Sequence, residues 1–173
     1  RLNIPSLLVI GGYQGCGQLA GQPVDLEDVF ESVGELAAGK ITIQDITDMS
    51  EVAVQGPGVC AGMGTANTMH IAAEALGFTL PGAAPVAALS EAMWTQAREA
   101  GRRIVDLVRG GRKPRDWLTP ANFHNAASAV LALSGSINAV KHLQAVAREA
   151  GTPVDVYHLF DALSQTLPLL APV

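Results

Sequence analysis

Apolar residues along this chain fall into one short continuous run and then a series of helical stripes. Ile4-Pro5-Ser6-Leu7-Leu8-Val9-Ile10, followed by Gly11-Gly12, predicts a buried strand feeding a glycine turn, with Pro5 tolerable near the strand start. The glycine-rich segment from Tyr13 to Pro23 carries Cys16 and predicts a loop. Asp25 then caps a helix whose stripe is Leu26, Val29, Phe30, Val33 and Leu36, with Glu27 and Asp28 in the first turn and Gly39 at the end. Thr42 and Asp45 have the spacing of a capping box ahead of a second amphipathic helix through Ile43, Ile46, Met49 and Val52 or Ala53. Both helices are expected to cover a sheet face, their carboxylates pointing to water.

The same period recurs in the second half. Ser90 caps a helix with Met93, Trp94, Ala97, Gly101, Ile104, Val105 and Val108 on its apolar side, ended by Gly110-Gly111. Thr119-Pro120 opens another through Phe123, Ala127, Val130 and Leu131. Ser134-Gly135-Ser136 breaks it, Ser136 being read mainly as the N-cap of the next helix, through Val140, Leu143 and Ala147 to Gly151. Asp155 caps a last helix to about Gln165, and Leu167-Pro168-Leu169-Leu170-Ala171 predicts a strand continuing to Val173. At least two strands and about seven helices make an α/β domain, helix-rich, with a mainly parallel sheet covered by helices.

One stretch does not serve a generic core. Gly56-Pro57-Gly58-Val59-Cys60-Ala61-Gly62-Met63-Gly64 puts four glycines and a proline in nine positions, a backbone that is costly to order. A helical pattern follows at once, with Ala66, Met69, Ala73 and Leu76 on one stripe and Asn67, His70 and Glu74 on another, until Gly77. Cys60 thus lies just before a helix N-terminus, whose unpaired N–H groups and dipole favour an anion such as a thiolate. A lone cysteine near a helix start is also a common small buried hydrophobe, and spacing alone leaves both readings open.

Composition narrows the classes. The chain has 173 residues, 49% hydrophobic and 16% charged, which suits one globular domain rather than disorder. A net charge of −5 gives no reason to expect nucleic acid, and Arg112-Lys113-Pro114-Arg115 reads as a solvated turn. No apolar run approaches the roughly 20 residues that span a bilayer, so no membrane partner is expected and the cytoplasm is the default location. Cys16 and Cys60 are expected to be free or metal-bound rather than paired. Arg1-Leu2-Asn3 runs straight into the apolar segment with no start methionine, which leads us to expect a single domain that is the interior of a longer polypeptide, incomplete at both ends.

The run GPGVCAGMGTANTMHIAAEALGFTLPG, Gly56 to Gly82, resembles the cluster-cysteine segment of the dihydroxy-acid dehydratase and phosphogluconate dehydratase family. Leu133-Ser134-Gly135-Ser136-Ile137-Asn138-Ala139-Val140-Lys141-His142-Leu143 is a second resemblance to that family, whose members carry a similar run ending in histidine. The resemblance implies part of an N-terminal domain of a hydro-lyase that takes water from a 2,3-dihydroxy acid to give a 2-oxo acid. It further implies a 2Fe-2S cluster on three cysteines as Lewis acid, a divalent metal, usually Mg2+, at the substrate carboxylate, and a homo-oligomer. Cys60 matches one of the three cysteines. Gly62, Thr65 and Asn67 are then expected to shape the cluster pocket, the last two by hydrogen bonds to sulfur or substrate.

The other ligands of the family pattern, including a cysteine–aspartate–lysine motif, are not in this sequence. One thiolate does not hold a two-iron cluster, so the chain alone is expected to bind none stably and to catalyse nothing, and no catalytic residue is assigned. The substrate, a branched-chain dihydroxy acid or a sugar acid, is left open, and the apolar faces around Trp94 and Phe123 are candidates for pairing between subunits. The alternative is a non-catalytic α/β module whose glycine loop packs or binds a small anion. A nucleotide loop is disfavoured, since Gly56–Thr68 has no P-loop lysine and no dinucleotide spacing.

Overall fold

Polar caps set where most of the helices begin. In the computed structural model, which describes residues 2–171, α1 (Leu26–Ala37) starts at Asp25, whose carboxylate accepts the Glu27 N–H at 2.7 Å while Asp28 accepts the Asp25 N–H at 2.8 Å. The same reciprocal exchange between Thr42 and Asp45 opens α2 (Ile43–Ala53). Hydrogen bonds from the Thr42 hydroxyl, and then from its backbone N–H, hold the Asp45 carboxyl below the usual carboxylate range. Ser90 caps α4 (Glu91–Arg109) through the Met93 N–H, and Asp155 caps α7 (Val156–Ser164) through the His158 N–H. The remaining helices are α3 (Thr65–Ala75), α5 (Pro120–Ala132) and α6 (Asn138–Ala150).

Two caps differ from expectation. The Thr119 hydroxyl donates to Asn122 Oδ1 at 2.7 Å instead of receiving a helix N–H, because the competing side-chain acceptor lies within reach. Ile137 stands at the cap position of α6, one residue later than expected, while the Ser136 hydroxyl still accepts the N–H of Asn138, the first helical residue, at 3.4 Å.

The α/β, helix-rich character holds, with a small sheet. Among the described residues that sheet is the antiparallel hairpin of β1 (Gly17–Leu19) and β2 (Gln22–Val24). Its two-residue loop, Ala20 at φ 50° and Gly21 at φ 81°, has both residues left-handed, as the twist of a tight hairpin requires. Parallel pairing is confined to single bridges at Tyr13, to Val59 on one side and to Ala87 on the other. The Tyr13 N–H donates to the Val86 carbonyl at 3.1 Å, and the Tyr13 carbonyl accepts the Ala88 N–H at 2.9 Å.

The apolar segment Ile4–Ile10 is a correction to the sequence reading. It is not a strand: among the described residues its one backbone tie to another segment is the Leu8 N–H donating to the Phe78 carbonyl at 2.7 Å, and Ile4, Leu8 and Val9 are exposed while Ile10 is buried. An apolar run shows that burial is wanted, and a ladder needs neighbours that the described residues do not supply here. The run at Leu167–Ala171 is also not a strand. The N–H groups of Leu170 and Ala171 both donate to the Ala132 carbonyl, so the segment folds back on the end of α5. Pro172 and Val173, the end of that expected strand, lie outside the described residues.

The core lies among α3, α5, α6 and α7. Phe123, Ala126, Ala127, Leu143 and Ala147 are fully buried there with Ala72, and Val130, Val156, Phe160 and Leu163 close the cluster. Phe123 is therefore core and not a pairing surface, which corrects the expectation for it; Trp94 is 46% exposed. α1 and α2 form a satellite with the hairpin. There Phe30 and Val33 stay exposed and the small Ser32 is buried, its hydroxyl donating to the Asp28 carbonyl at 2.8 Å. Phe123→Ala is expected to lower stability by about 3–5 kcal/mol, transfer and cavity terms together, measured by urea denaturation. A loss below 1 kcal/mol would place the stabilising core elsewhere.

Candidate functional site

Three segments fix the Cys60 loop. Val59 is bound on both sides of its peptide: its N–H donates to the Gly12 carbonyl at 3.0 Å and its carbonyl accepts the Gln14 N–H at 2.7 Å. Cys60 follows directly, half-buried, with its thiol free; Cys16 is likewise free, and exposed. Ala61, Gly62 and Met63 then lead to Gly64, the cap of α3, so the cysteine precedes the helix by one open turn of loop rather than sitting at its cap. Gly62 is buried, and the Glu27 carboxylate of α1 occupies the space a Cβ there would need.

Asn67 clamps this turn. Its side-chain amide donates to the carbonyls of both Cys60 and Gly62 at 2.7 Å. Both amide protons are thereby used, and only the oxygen remains to meet anything else. Asn67 thus sets the path of the backbone that carries the thiol.

Thr65 belongs to a different network. Its hydroxyl lies 3.0 Å from the Ser136 hydroxyl and accepts from the Asn138 side-chain amide at 3.0 Å. One turn further on, the fully buried Thr68 hydroxyl donates to the Gly64 carbonyl at 2.9 Å and accepts the Ser136 N–H at 2.8 Å. Gly135 makes this approach possible, since a Cβ there would lie 2.8 Å from Val130 and 2.9 Å from Thr68. Thr68, Ser136 and Asn138 were missed as a set by sequence reasoning. The second family-like segment held the signal, but separations of 68 to 73 residues hide which hydroxyls meet.

The other face of α3 borders a cavity of about 500 Å³. Ala61 and Met63 of the loop form one wall, Asn67, Ile71 and Glu74 of α3 the next, and Ala84 and Pro85 another. Glu74, which the sequence pattern placed only on a polar stripe, accepts the N–H groups of Gly82 and Ala84 at 2.7 and 2.8 Å, fastening the Pro-Gly segment over the cavity. His70 sits half-buried on the same helix, its Nδ1 without a hydrogen-bond partner. Burial lowers its pKa below the ordinary histidine value. His124, His142 and His158 are exposed helix residues, and among the described residues no three His, Cys, Asp or Glu side chains group to hold a metal ion.

The family model described as the N-terminal part of dihydroxy-acid/6-phosphogluconate dehydratases matches residues 1–173. The chain belongs to this dehydratase family. A dihydroxy-acid dehydratase of Sulfurisphaera tokodaii is 45% identical over 168 residues, which is 97% of this chain and 30% of that protein. Dihydroxy-acid dehydratases of Methanospirillum hungatei and Metallosphaera sedula are 44% and 42% identical, over 99% and 97% of this chain and 31% and 30% of theirs. The chain thus spans about a third of the length of the curated relatives it matches. For this member of the dehydratase family, no helix among the described residues is long and apolar enough to cross a membrane.

Two outcomes test the geometry. Asn67→Ala is expected to cost about 1–3 kcal/mol, two hydrogen bonds being lost to half-buried carbonyls. Amide exchange over residues 60–64 should rise with it, and exchange equal to the unsubstituted chain would show that the loop is held by other contacts. For His70, the lowered folded pKa means that the unfolded chain binds the extra proton first. Its contribution to stability is therefore full above about pH 6.5 and is lost as pH falls below that value toward the folded pKa. Thermal melting of the unsubstituted chain between pH 7.5 and 5.5 should drop more than that of His70→Gln; equal slopes would remove His70 from the acid sensitivity.

Proposed function

We propose that this chain is the cysteine-bearing part of a hydro-lyase that dehydrates a 2,3-dihydroxy acid to a 2-oxo acid. The observation that carries the reading is the Cys60 loop: a half-buried free thiol on a turn clamped by Asn67, in a chain that is family-matched over its whole length. The donor chemistry fits an iron–sulfur cluster in part. Cys60 offers one sulfur donor, held on a half-buried turn whose carbonyls Asn67 clamps. The remaining ligands of such a cluster, and those of Mg2+, are assigned to other parts of the polypeptide.

When bound, such a cluster would supply a Lewis acid for the departing hydroxyl, and a divalent metal would supply positive charge at the substrate carboxylate. The residues of this chain act around that chemistry. Asn67 holds the Cys60 and Gly62 carbonyls and so fixes the direction of the thiolate. Gly62 lets the loop pass against the Glu27 side chain. Thr65, bonded to Ser136 and Asn138, anchors the first turn of α3. Each is a positioning residue rather than a proton carrier.

A small hydroxy acid is the proposed substrate, the full-length protein is proposed to be a cytoplasmic homo-oligomer, and the exposed Trp94 face of α4 is the candidate pairing surface. In the full-length protein, Cys60→Ser is expected to lose most of the bound iron and sulfide and the visible absorbance that goes with them. Iron and sulfide contents equal to those of the unsubstituted protein would take Cys60 out of the ligand set.

A further inference from the structure

α4 is the longest of the described helices, and little of it is covered. Its inner side buries Met93 and Ala100, and the Gln96 side chain there donates to the Pro81 carbonyl at 3.3 Å. Around the helix from that side, Trp94, Gly101 and Val108 recur at heptad spacing with Val105 beside them, so they form one stripe. Trp94, Val105 and Val108 are 46, 43 and 59% exposed, and the space a Cβ would take at Gly101 is open. The chain exposes 10039 Å² in all, whereas a compact monomer of this size exposes about 8,000 Å². The difference exceeds the roughly 800 Å² that each partner gives to a standard interface.

We propose that this stripe joins two copies of the chain, their α4 helices crossing antiparallel with Gly101 at the two-fold axis, an inference that rests on the homo-oligomer reading above. Charge selects a second copy as the occupant. Glu99 takes up Arg102 at 3.2 Å and Arg103 at 3.0 Å within the helix, whereas among the described residues Arg109 has no carboxylate in ion-pair reach and Glu91 has only Arg98, at 3.8 Å. Glu91 and Arg109 stand on the same flank of the stripe, about 15 Å before and about 12 Å after Gly101. A two-fold through Gly101 therefore sets Glu91 of each copy level with Arg109 of the other, twice per pair. The opposite flank fixes the orientation. Met93 and Ala100 there already face the chain's own body, so a parallel pair, which sets the free flank of one helix against the covered flank of the other, is blocked. An antiparallel pair sets free flank to free flank. Trp94 then lies over Val108 of the second copy, and Gly101 lets the two axes approach closely.

The test uses the full-length protein and a short bismaleimide, whose reach of about 10 Å matches the spacing of packed helix axes. Cysteines placed at Trp94 and Val108 of one chain are about 21 Å apart along the helix and out of reach of each other. The double variant Trp94→Cys with Val108→Cys should give a covalent dimer as its main species on a denaturing gel. Each single variant should link no more than the unsubstituted protein, whose exposed Cys16 sets the background. Val105→Asp should halve the particle mass read by light scattering. Arg109→Glu should weaken association by roughly tenfold, and Glu91→Arg in the same chain should restore it.

A double variant that links no better than the unsubstituted protein, while light scattering still reads an oligomer, overturns the α4 interface and leaves the homo-oligomer reading intact. An unsubstituted full-length protein that is monomeric overturns both. Links formed by Trp94→Cys alone or by Val108→Cys alone overturn the antiparallel arrangement, and so does an Arg109→Glu protein that Glu91→Arg fails to restore. The mass of the unsubstituted protein and the charge swap do not depend on whether a cysteine variant folds.

Discussion

Everything at the candidate site depends on how closely α3 approaches the turn between α5 and α6. Thr68 is fully buried there, and its hydroxyl is satisfied twice, once within its own helix and once by the Ser136 N–H. A buried hydroxyl without such partners costs about 1–3 kcal/mol, so the contact is specific as well as close. Gly135 permits it, because any side chain at that position would press into Val130 and Thr68. With α3 fixed on this side, its remaining faces have defined surroundings: Ala72 and Leu76 enter the core, and Asn67, Ile71 and Glu74 face the cavity.

The Cys60 loop inherits its position from that helix. A glycine-rich turn has many conformations of similar energy, and two charge-free hydrogen bonds from Asn67 select one of them. Val59, bonded to Gly12 and Gln14, holds the other end. The loop is therefore stretched between a backbone bridge and a helix, with the thiol between the two anchors. This suits the ligand role proposed for Cys60, since freedom lost on folding is not lost again on binding.

Apolar surface is distributed unevenly over the chain. Phe123, Leu143 and Val130 fill the four-helix core, whereas Ile4, Leu8, Val9, Val105 and Val108 are exposed. The 19-residue α4 buries only Met93 and Ala100 of its length. Trp94 of α4 and Ile4, Leu8 and Val9 are the clearest of these uncovered apolar positions.

Local chemistry was legible in the residues themselves. Asp25 with Asp28, Thr42 with Asp45, and Ser90 and Asp155 cap helices as their types and spacing demand, because a cap is satisfied within one turn of chain. Cys60 and its loop also stood out from sequence, since four glycines around a thiol are unusual in a core. What the tertiary structure alone decided was who meets whom across many residues. The Ile4–Ile10 run asked for burial but could not name a strand partner, and Ser136, which receives the Asn138 N–H as its type suggests, acquired Thr65 and Thr68 as further partners only in the fold. Asn67 showed its kind of chemistry in sequence and its actual partners only in the fold, because hydrogen bonds are fixed by distances of a few tenths of an ångström that no spacing along the chain encodes.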